Sequence, residues 1–170
     1  AQITGREVSK GGRTLCKQFA EDVVSAFEAG GDEVLAAVLV FLRSLPLAIR
    51  TAGEVLIAHS MPSPNRMDEA GIDILDRESV DEDLLRGGAV YEWTWGRDQH
   101  PDQIEALAQQ IGVEFFLLSH RPVERGYEII SPRAAAITSE DASGCIATFP
   151  NDQTLSGDSL PDVVTPLGLV

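Results

Sequence analysis

Two short apolar runs, each leading to a histidine, constrain the fold of this chain more than any other feature of its sequence. Residues 55–58 run directly into His59, and residues 115–118 are separated from His120 by a single serine. Apolar runs of this length, followed by Pro-containing segments, are typical of buried strands. Neighbouring strands of a sheet bring residues that are distant in sequence to one edge. The two histidines are therefore expected to lie close together at the ends of adjacent strands.

The chain before these runs has the periodicity of helices. Apolar residues recur every fourth position from Leu15 to Phe27, which predicts an amphipathic helix ended by the glycine pair at 30–31. A second helix is predicted from Asp32, as its N-cap, to about Leu45, because apolar residues again share a face and a proline follows. Both are expected to be core helices.

Between the predicted helices and His120, the sequence predicts first a β-hairpin and then an exposed acidic segment. Residues 47–49 and 55–58 flank a polar turn that contains glycine, and they predict a β-hairpin. The acidic stretch 67–86 is only weakly amphipathic. It predicts an exposed insertion with one short helix over residues 80–85, capped by Ser79.

A third clear helix precedes the remaining strands. It is predicted from Pro101 to about Gln110, with proline in its first turn. The fold class is therefore α/β, with N-terminal helices followed by a mixed sheet over residues 1–150. Residues 151–170, rich in Pro, Gly and Ser, are expected to form a peripheral tail. The later strands are predicted over residues 113–118, 127–130, 134–138 and 145–149.

Composition excludes several classes of partner. A length of 170 residues suits one domain, and the formal net charge of −14 opposes binding to the phosphate backbone of nucleic acid. The longest apolar run is about nine residues, short of the roughly 20 that a membrane span needs. Two cysteines without CxxC spacing favour a reducing compartment, so a cytoplasmic location is expected.

His59 and His120 are the candidate metal ligands, because imidazoles at the ends of neighbouring strands can converge on one cation. The alternative is that each histidine only caps its strand through a hydrogen bond. The third histidine, His100, precedes a proline at a helix start and is expected on the surface.

Three arginines lie near the segments that contain the two histidines. Arg97, Arg121 and Arg125 lie close in sequence to the predicted site, and a guanidinium fork matches two phosphate oxygens. Arginine beside a histidine metal site therefore suits phosphoester chemistry. Ordinary surface ion pairs are the competing explanation.

Other chemistries find less support. The sequence contains no Gly-x-Ser-x-Gly and no Gly-x-x-x-x-Gly-Lys. Cys16 and Cys145 have no adjacent histidine or basic cluster that would activate a thiol, so both are expected in the core. Trp93 and Trp95 leave open a sugar-stacking surface, although tryptophan near a helix start is more often part of the core.

Three segments share their spacing with a known enzyme family. Residues 45–48 (LPLA) and 55–64 (VLIAHSMPSP) match its Leu-Pro-Leu followed by strand-His-Gly-Gly-Leu-Ser-Pro, and residues 117–128 (LLSHRPVERGYE) match its Arg-x-His-x-x-x-x-x-Gly-Tyr-Glu. Residues 95–97 (WGR) fall where that family has a phosphate-binding arginine. Over residues 35–149 the chain thus resembles the serine/threonine-type phosphoprotein phosphatases, which are calcineurin-like metallophosphoesterases.

The resemblance implies a fold, a metal centre and a reaction. The fold would be the C-terminal half of a metallophosphoesterase-type α-β-β-α sandwich. His59 and His120 would ligate the second of two divalent metal ions (Mn, Fe or Zn), and Arg97, with Arg121 nearby, would bind the substrate phosphate. The implied reaction is hydrolysis of a phosphoprotein or a small phosphoester by metal-bound water.

The sequence also departs from that family. Ser-Met follows His59 where the family has Gly-Gly, and Leu118 stands where the family has arginine. None of the family's first-half motifs stands ahead of His59, and residues 1–2 resemble the family's residues directly after the last of those motifs. The chain is therefore expected to need a missing N-terminal half as its partner and to be inactive alone. The alternative is a degenerate, non-catalytic phosphatase-like module that binds a protein through the acidic segment 68–83.

Overall fold

The computed structural model describes residue 3 and residues 8–69, 71–139 and 143–169, which divide into two units between Pro46 and Leu47. The resemblance noted at residues 1–2 lies outside the described residues. The same holds for position 70 and the side chains at 68 and 69, which belong to the acidic segment proposed to bind a protein. No helix in the described part of the chain has the length and hydropathy needed to span a bilayer.

A helical hairpin forms most of the first unit. Two short antiparallel strands, β1 (Ser9–Lys10) and β2 (Arg13–Thr14), precede it. Helix α1 (Leu15–Phe27) and helix α2 (Gly31–Ser44) follow, joined by the 3-10 turn Glu28–Gly30. The two predicted N-terminal helices are confirmed.

The two helices are in close backbone contact at Gly31. A Cβ atom there would lie 2.5 Å from the Cα atom of Val24, so only glycine permits this contact. Because α2 starts at Gly31 with Gly30 as its N-cap, the prediction of Asp32 as N-cap is wrong; Asp32 lies in the first turn, where the helix dipole favours negative charge.

The prediction that both helices belong to the core is also wrong. Every residue of both helices is described, and only Gly31 is buried. Two packed helices bury little more than the surface along which they touch each other.

Five strands of the second unit form a mixed sheet. Its order is β3-β4-β5-β7-β6, with β4, β5 and β7 parallel to one another and both outer pairs antiparallel. The register of β6 shifts between Ile129 and Ser131. The predicted hairpin and the α/β class, with helices followed by a mixed sheet, are confirmed. The strands are β3 (Ala48–Arg50), β4 (Val55–Ala58), β5 (Phe115–Leu118), β6 (Tyr127–Ser131) and β7 (Ala134–Ile137).

Side chains of the central strands alternate between two cores on opposite faces of the sheet. Leu56 and Phe116 are buried in one core, and Val55 and Phe115 in the other. Covering both faces explains why these strands read as continuous apolar runs. The first core is completed by Trp93, Ile104, Leu107 and Ala108 from the helices α3 (Ala89–Trp95) and α4 (Pro101–Ile111).

The two helices differ in how well the sequence predicts them. Helix α4 begins at Pro101 as expected, and Gly112 ends it in the left-handed conformation, with a φ of 67°. Helix α3 has no counterpart among the sequence predictions. It immediately precedes Gly96, which becomes important at the candidate site.

The C-terminal segment packs on the second face of the sheet. Strand β8 (Cys145–Ala147) pairs antiparallel with strand β9 (Val164–Pro166). Residues 151–170, expected as a peripheral tail, contribute Leu155 and Leu160 to the second core, with exposed fractions of 3% and 0%.

The acidic segment contains a 3-10 turn where a helix capped by Ser79 is predicted. The turn spans Asp81–Leu84, and the backbone N–H of Val80 donates to a carboxylate oxygen of Asp83 at 2.9 Å. The predicted helix over residues 80–85 is therefore wrong in type. The Asp83 carboxylate, rather than the Ser79 hydroxyl, satisfies the N–H group at its start.

The guanidinium group of Arg77 is hydrogen bonded to two carboxylates of the acidic segment. Arg77 donates from Nη1 and Nη2 to both carboxylate oxygens of Asp83, at 2.6 and 2.8 Å, and from Nε to Asp73 at 2.8 Å. The hydrogen bonds from Arg77, followed by that from Val80, lower the pKa of Asp83 to about 2. The carboxylate therefore stays ionised well below the ordinary carboxyl pKa.

We expect Asp83→Asn to lower the free energy of unfolding by about 1.5 to 3 kcal/mol at pH 7, the cost typical of losing hydrogen bonds to a charged group. Because the pKa of Asp83 is lowered on folding, its stabilisation is complete above the ordinary carboxyl pKa and is lost as the pH falls toward 2. Urea unfolding at several pH values measures this. The control is Asp76→Asn, an exposed carboxylate in the same segment, and equal effects of the two substitutions would contradict the assignment.

Candidate metal and phosphate site

His59 and His120 lie side by side at one edge of the mixed sheet. His59 directly follows β4 and His120 follows β5 by two residues, and these strands are parallel neighbours. The N–H group of Ser119 donates to the carbonyl oxygen of His59 at 3.1 Å, which extends the pairing one step beyond the strands. The expectation that the two rings come together at the strand ends is confirmed.

The two imidazoles are in direct contact. Nε2 of His59 lies 2.9 Å from Nδ1 of His120, and the ring centroids are 4.6 Å apart with the planes tilted by 51°. His120 has a φ of 55°, a left-handed conformation that non-glycine residues seldom adopt. Such conformations cost about 1 to 3 kcal/mol and persist only where the surroundings enforce them.

Arg97 contacts the far side of the His120 ring. Its Nε donates to Nε2 of His120 at 3.2 Å. Because arginine only donates, Nε2 of His120 must be unprotonated, and the proton of the neutral ring lies on Nδ1. That proton points to Nε2 of His59, which accepts it. The contacts thus define one chain of hydrogen bonds, from Arg97 through His120 to His59.

Both imidazoles favour the neutral form. Burial lowers the pKa of His59. Burial lowers the pKa of His120 as well; the charge that His59 carries when protonated and the Arg97 guanidinium lower it further. Neutral imidazole is the form that binds metal ions, since the lone pair of a ring nitrogen must be free.

Arg121 lies beside the same cluster, but its guanidinium is engaged. It donates from Nε and Nη2 to the two carboxylate oxygens of Glu128, at 3.2 and 3.1 Å. Nη1 reaches the carbonyl oxygen of Arg97 at 3.5 Å and the side-chain oxygen of Gln99 at 3.4 Å. Of the two arginines singled out from the sequence, Arg97 faces the histidines and Arg121 supports the backbone of Arg97. Arg125, the third arginine of this region, is exposed.

The loop after β4 holds the end of α3 in place. The hydroxyl of Ser60 donates to the carbonyl oxygen of Gly96, and the side-chain amide of Gln99 donates to the carbonyl oxygen of Met61 at 3.2 Å. At Gly96, a Cβ atom would overlap the carbonyl oxygen of Met61 and lie 3.0 Å from the backbone nitrogen of Ser63. This contact fixes the chain one residue before Arg97.

Two aromatic residues of α3 stack on each other, and one of them contacts His120. Trp95 meets His120 edge to face, with centroids 5.5 Å apart, and stacks on Tyr91 at 5.8 Å with planes 19° apart. Trp93 is fully buried in the core, so a sugar-stacking surface made of Trp93 and Trp95 is wrong. Tyr91 is not among the site residues predicted from the sequence, although its spacing of four from Trp95 places the two rings on one face of a helix. His100 is exposed, as expected.

The two imidazoles can supply two nitrogen ligands to one divalent cation. Two imidazole nitrogens bound at about 2.1 Å to the same ion stand about 3.0 to 3.4 Å apart, close to the observed 2.9 Å between His59 and His120. No group of three or more His, Cys, Asp or Glu side chains that could hold a metal occurs in residues 8–69, 71–139 and 143–169. A two-metal centre would therefore need ligands beyond this described part.

Comparison with known proteins adds no name to this site, because no protein-family model matches the chain and no curated protein is significantly similar to it.

Proposed function

We propose that the chain contributes the histidine pair and a phosphate-binding arginine to a metal-dependent phosphoester hydrolase of the metallophosphoesterase type. The observation that carries the proposal is the 2.9 Å approach of the two imidazole nitrogens, with the Arg97 guanidinium against the same ring. The parallel pairing of β4 and β5 supports it, because that pairing puts both histidines at one sheet edge.

In this proposal the residues of the chain have separate tasks. His59 and His120 would hold a divalent cation through their ring nitrogens in the neutral, unprotonated form. A bound Mn, Fe or Zn ion supplies charge stabilisation and a water of lowered pKa. Arg97 releases His120 and pairs with two phosphate oxygens, as guanidinium groups do. Arg121 keeps the Arg97 backbone in place through its own pairing with Glu128.

The remaining ligands of a two-metal centre come, in this proposal, from outside the described residues, from the first half of a complete phosphatase domain. The substrate is a phosphoprotein or a small phosphoester. A competing proposal is a degenerate, non-catalytic module that binds a protein partner through residues 68–83. Ser-Met after His59 and Leu118 in place of an arginine motivate that competitor. Determining whether the gene encodes Asp-x-His and Gly-Asn-His-Glu upstream separates the two.

We expect His120→Ala to lower kcat/KM for Mn²⁺-dependent hydrolysis of p-nitrophenyl phosphate by the full-length protein at least about 100-fold, because a metal ligand is removed. The matched control is His100→Ala, which removes an exposed histidine from the same unit and should leave the rate unchanged. His120→Asn provides a second variant whose side chain tolerates a positive φ, so that backbone strain is not mistaken for loss of a ligand.

Metal binding by the 170-residue chain gives a second measurement that is independent of turnover. Calorimetric titration with Zn²⁺ should show binding to the wild type and to His100→Ala, and none to His59→Ala or His120→Ala. Full hydrolytic activity in His120→Ala, or equal Zn²⁺ affinity in all four proteins, would discard the metal assignment.

A further inference from the structure

Helix α3 keeps two aromatic rings out of the core. Tyr91 and Trp95 lie one helical turn apart and stack on each other, whereas Trp93, two positions from each, is completely buried. Trp95 is 43% exposed. Trp95 therefore presents part of its indole to solvent while it packs on Tyr91 and on the ring of His120.

The exposed indole borders the candidate site. It contacts the ring of His120, and only Gly96 separates it in sequence from Arg97, whose Nε reaches the same ring. The contact of Gly96 with Met61 and the hydrogen bond from Ser60 anchor this short stretch to the loop after β4. The indole and the guanidinium are therefore held on either side of one anchored residue.

We propose that the stacked pair Tyr91–Trp95 binds a flat ring of the substrate while Arg97 binds its phosphate. This inference rests on the proposed function and narrows it to phosphate esters that carry a planar ring near the phosphate, as aryl phosphates and nucleotides do. Aromatic rings attract flat ligands through stacking and edge contacts that a saturated group of equal size does not form. Specificity follows from the fixed positions of the two groups.

Phosphonates test the inference, because their C–P bond resists hydrolysis and differences between leaving groups play no part. We expect the 170-residue chain, with Zn²⁺ present, to bind benzylphosphonate about two- to tenfold more tightly than cyclohexylmethylphosphonate, the range typical of aromatic pairs. Methylphosphonate, which has no ring, should bind more weakly than both. Ligand-observed NMR titrations give the three dissociation constants.

Variants connect the preference to the aromatic pair. In Trp95→Ala, the preference for benzylphosphonate over cyclohexylmethylphosphonate should vanish. Trp95→Phe should retain most of the preference. Ile129→Ala removes an apolar side chain of similar exposure from strand β6 and should change nothing. A Trp95→Ala variant that keeps the full preference would overturn the inference.

A second pair of ligands, AMP and ribose 5-phosphate, distinguishes nucleotides from aryl phosphates as the substrate class. Tighter binding of AMP supports nucleotides as substrates, and a preference confined to benzylphosphonate supports aryl phosphates. If neither pair of ligands shows a preference for the flat ring and methylphosphonate still binds, the aromatic site is overturned and the proposed function is not. If no phosphonate binds, the proposed function fails and this inference fails with it.

Discussion

Gly96→Ala should lower the free energy of unfolding by about 3 kcal/mol or more, a large part of the 5 to 15 kcal/mol that holds a typical domain folded. The added methyl group would overlap the carbonyl oxygen of Met61 and crowd the backbone nitrogen of Ser63. Both neighbours are backbone atoms, so no side-chain rotation relieves the overlap. Either α3 moves away from the loop after β4, or that loop separates from the sheet edge.

Urea unfolding followed by tryptophan fluorescence measures this loss. The matched control is Gly168→Ala, because a methyl group at Gly168 meets nothing within 4 Å, and its effect should stay within about 0.5 kcal/mol. The hydrogen bond from Ser60 to the carbonyl oxygen of Gly96 should break in the same variant. If Gly96→Ala were as stable as Gly168→Ala, the close approach of α3 to the loop would be refuted.

Leu160→Ala should cost about 2 to 5 kcal/mol of stability, although Leu160 belongs to a segment whose composition suggests a tail. Leu160 is fully buried in the second core, with Val55, Phe115 and Leu117 of the central strands. Truncation removes buried methyl groups and leaves a cavity against a sheet that cannot collapse onto it.

Leu167→Ala provides the comparison, since Leu167 lies in the same segment and is 37% exposed. Its truncation should cost less than half as much. Thermal unfolding of both variants distinguishes an integral C-terminal segment, with the larger loss at Leu160, from a peripheral tail, with small and equal losses. The second outcome would show that the sheet is stable without its cover on that face.

Much of the fold was predictable because its elements carry local signals. The stripe from Leu15 to Phe27 and the proline at position 101 identify helices through periodicity and capping. Short apolar runs bounded by turns identify the strands β4 and β5, and with them the meeting of His59 and His120. The pairing followed from topology rather than from any local property of either histidine.

Other features depend on contacts that no local pattern encodes. Helix α3 consists largely of aromatic and β-branched residues, which favour strands, and it is helical because Trp93 fits the core that α4 completes. The pairing of Arg121 with Glu128 arises from a turn and a strand that approach only in the folded chain. The burial of Leu160 has the same origin, since a Pro- and Ser-rich segment gives no sign of the surface on which it lies.

We expect the register shift in β6 to limit pairing between edge strands of different molecules. An edge strand exposes unpaired N–H and C=O groups that can recruit a strand from another molecule, and both edges of this sheet carry an exposed isoleucine, Ile49 and Ile129. The irregularity between Ile129 and Ser131 interrupts the straight ladder on one side, and β3 ends after three residues at Arg50 on the other. Both edges of the sheet thus oppose pairing with a strand of another molecule. Removing the register shift from β6 would remove one of these two barriers to aggregation.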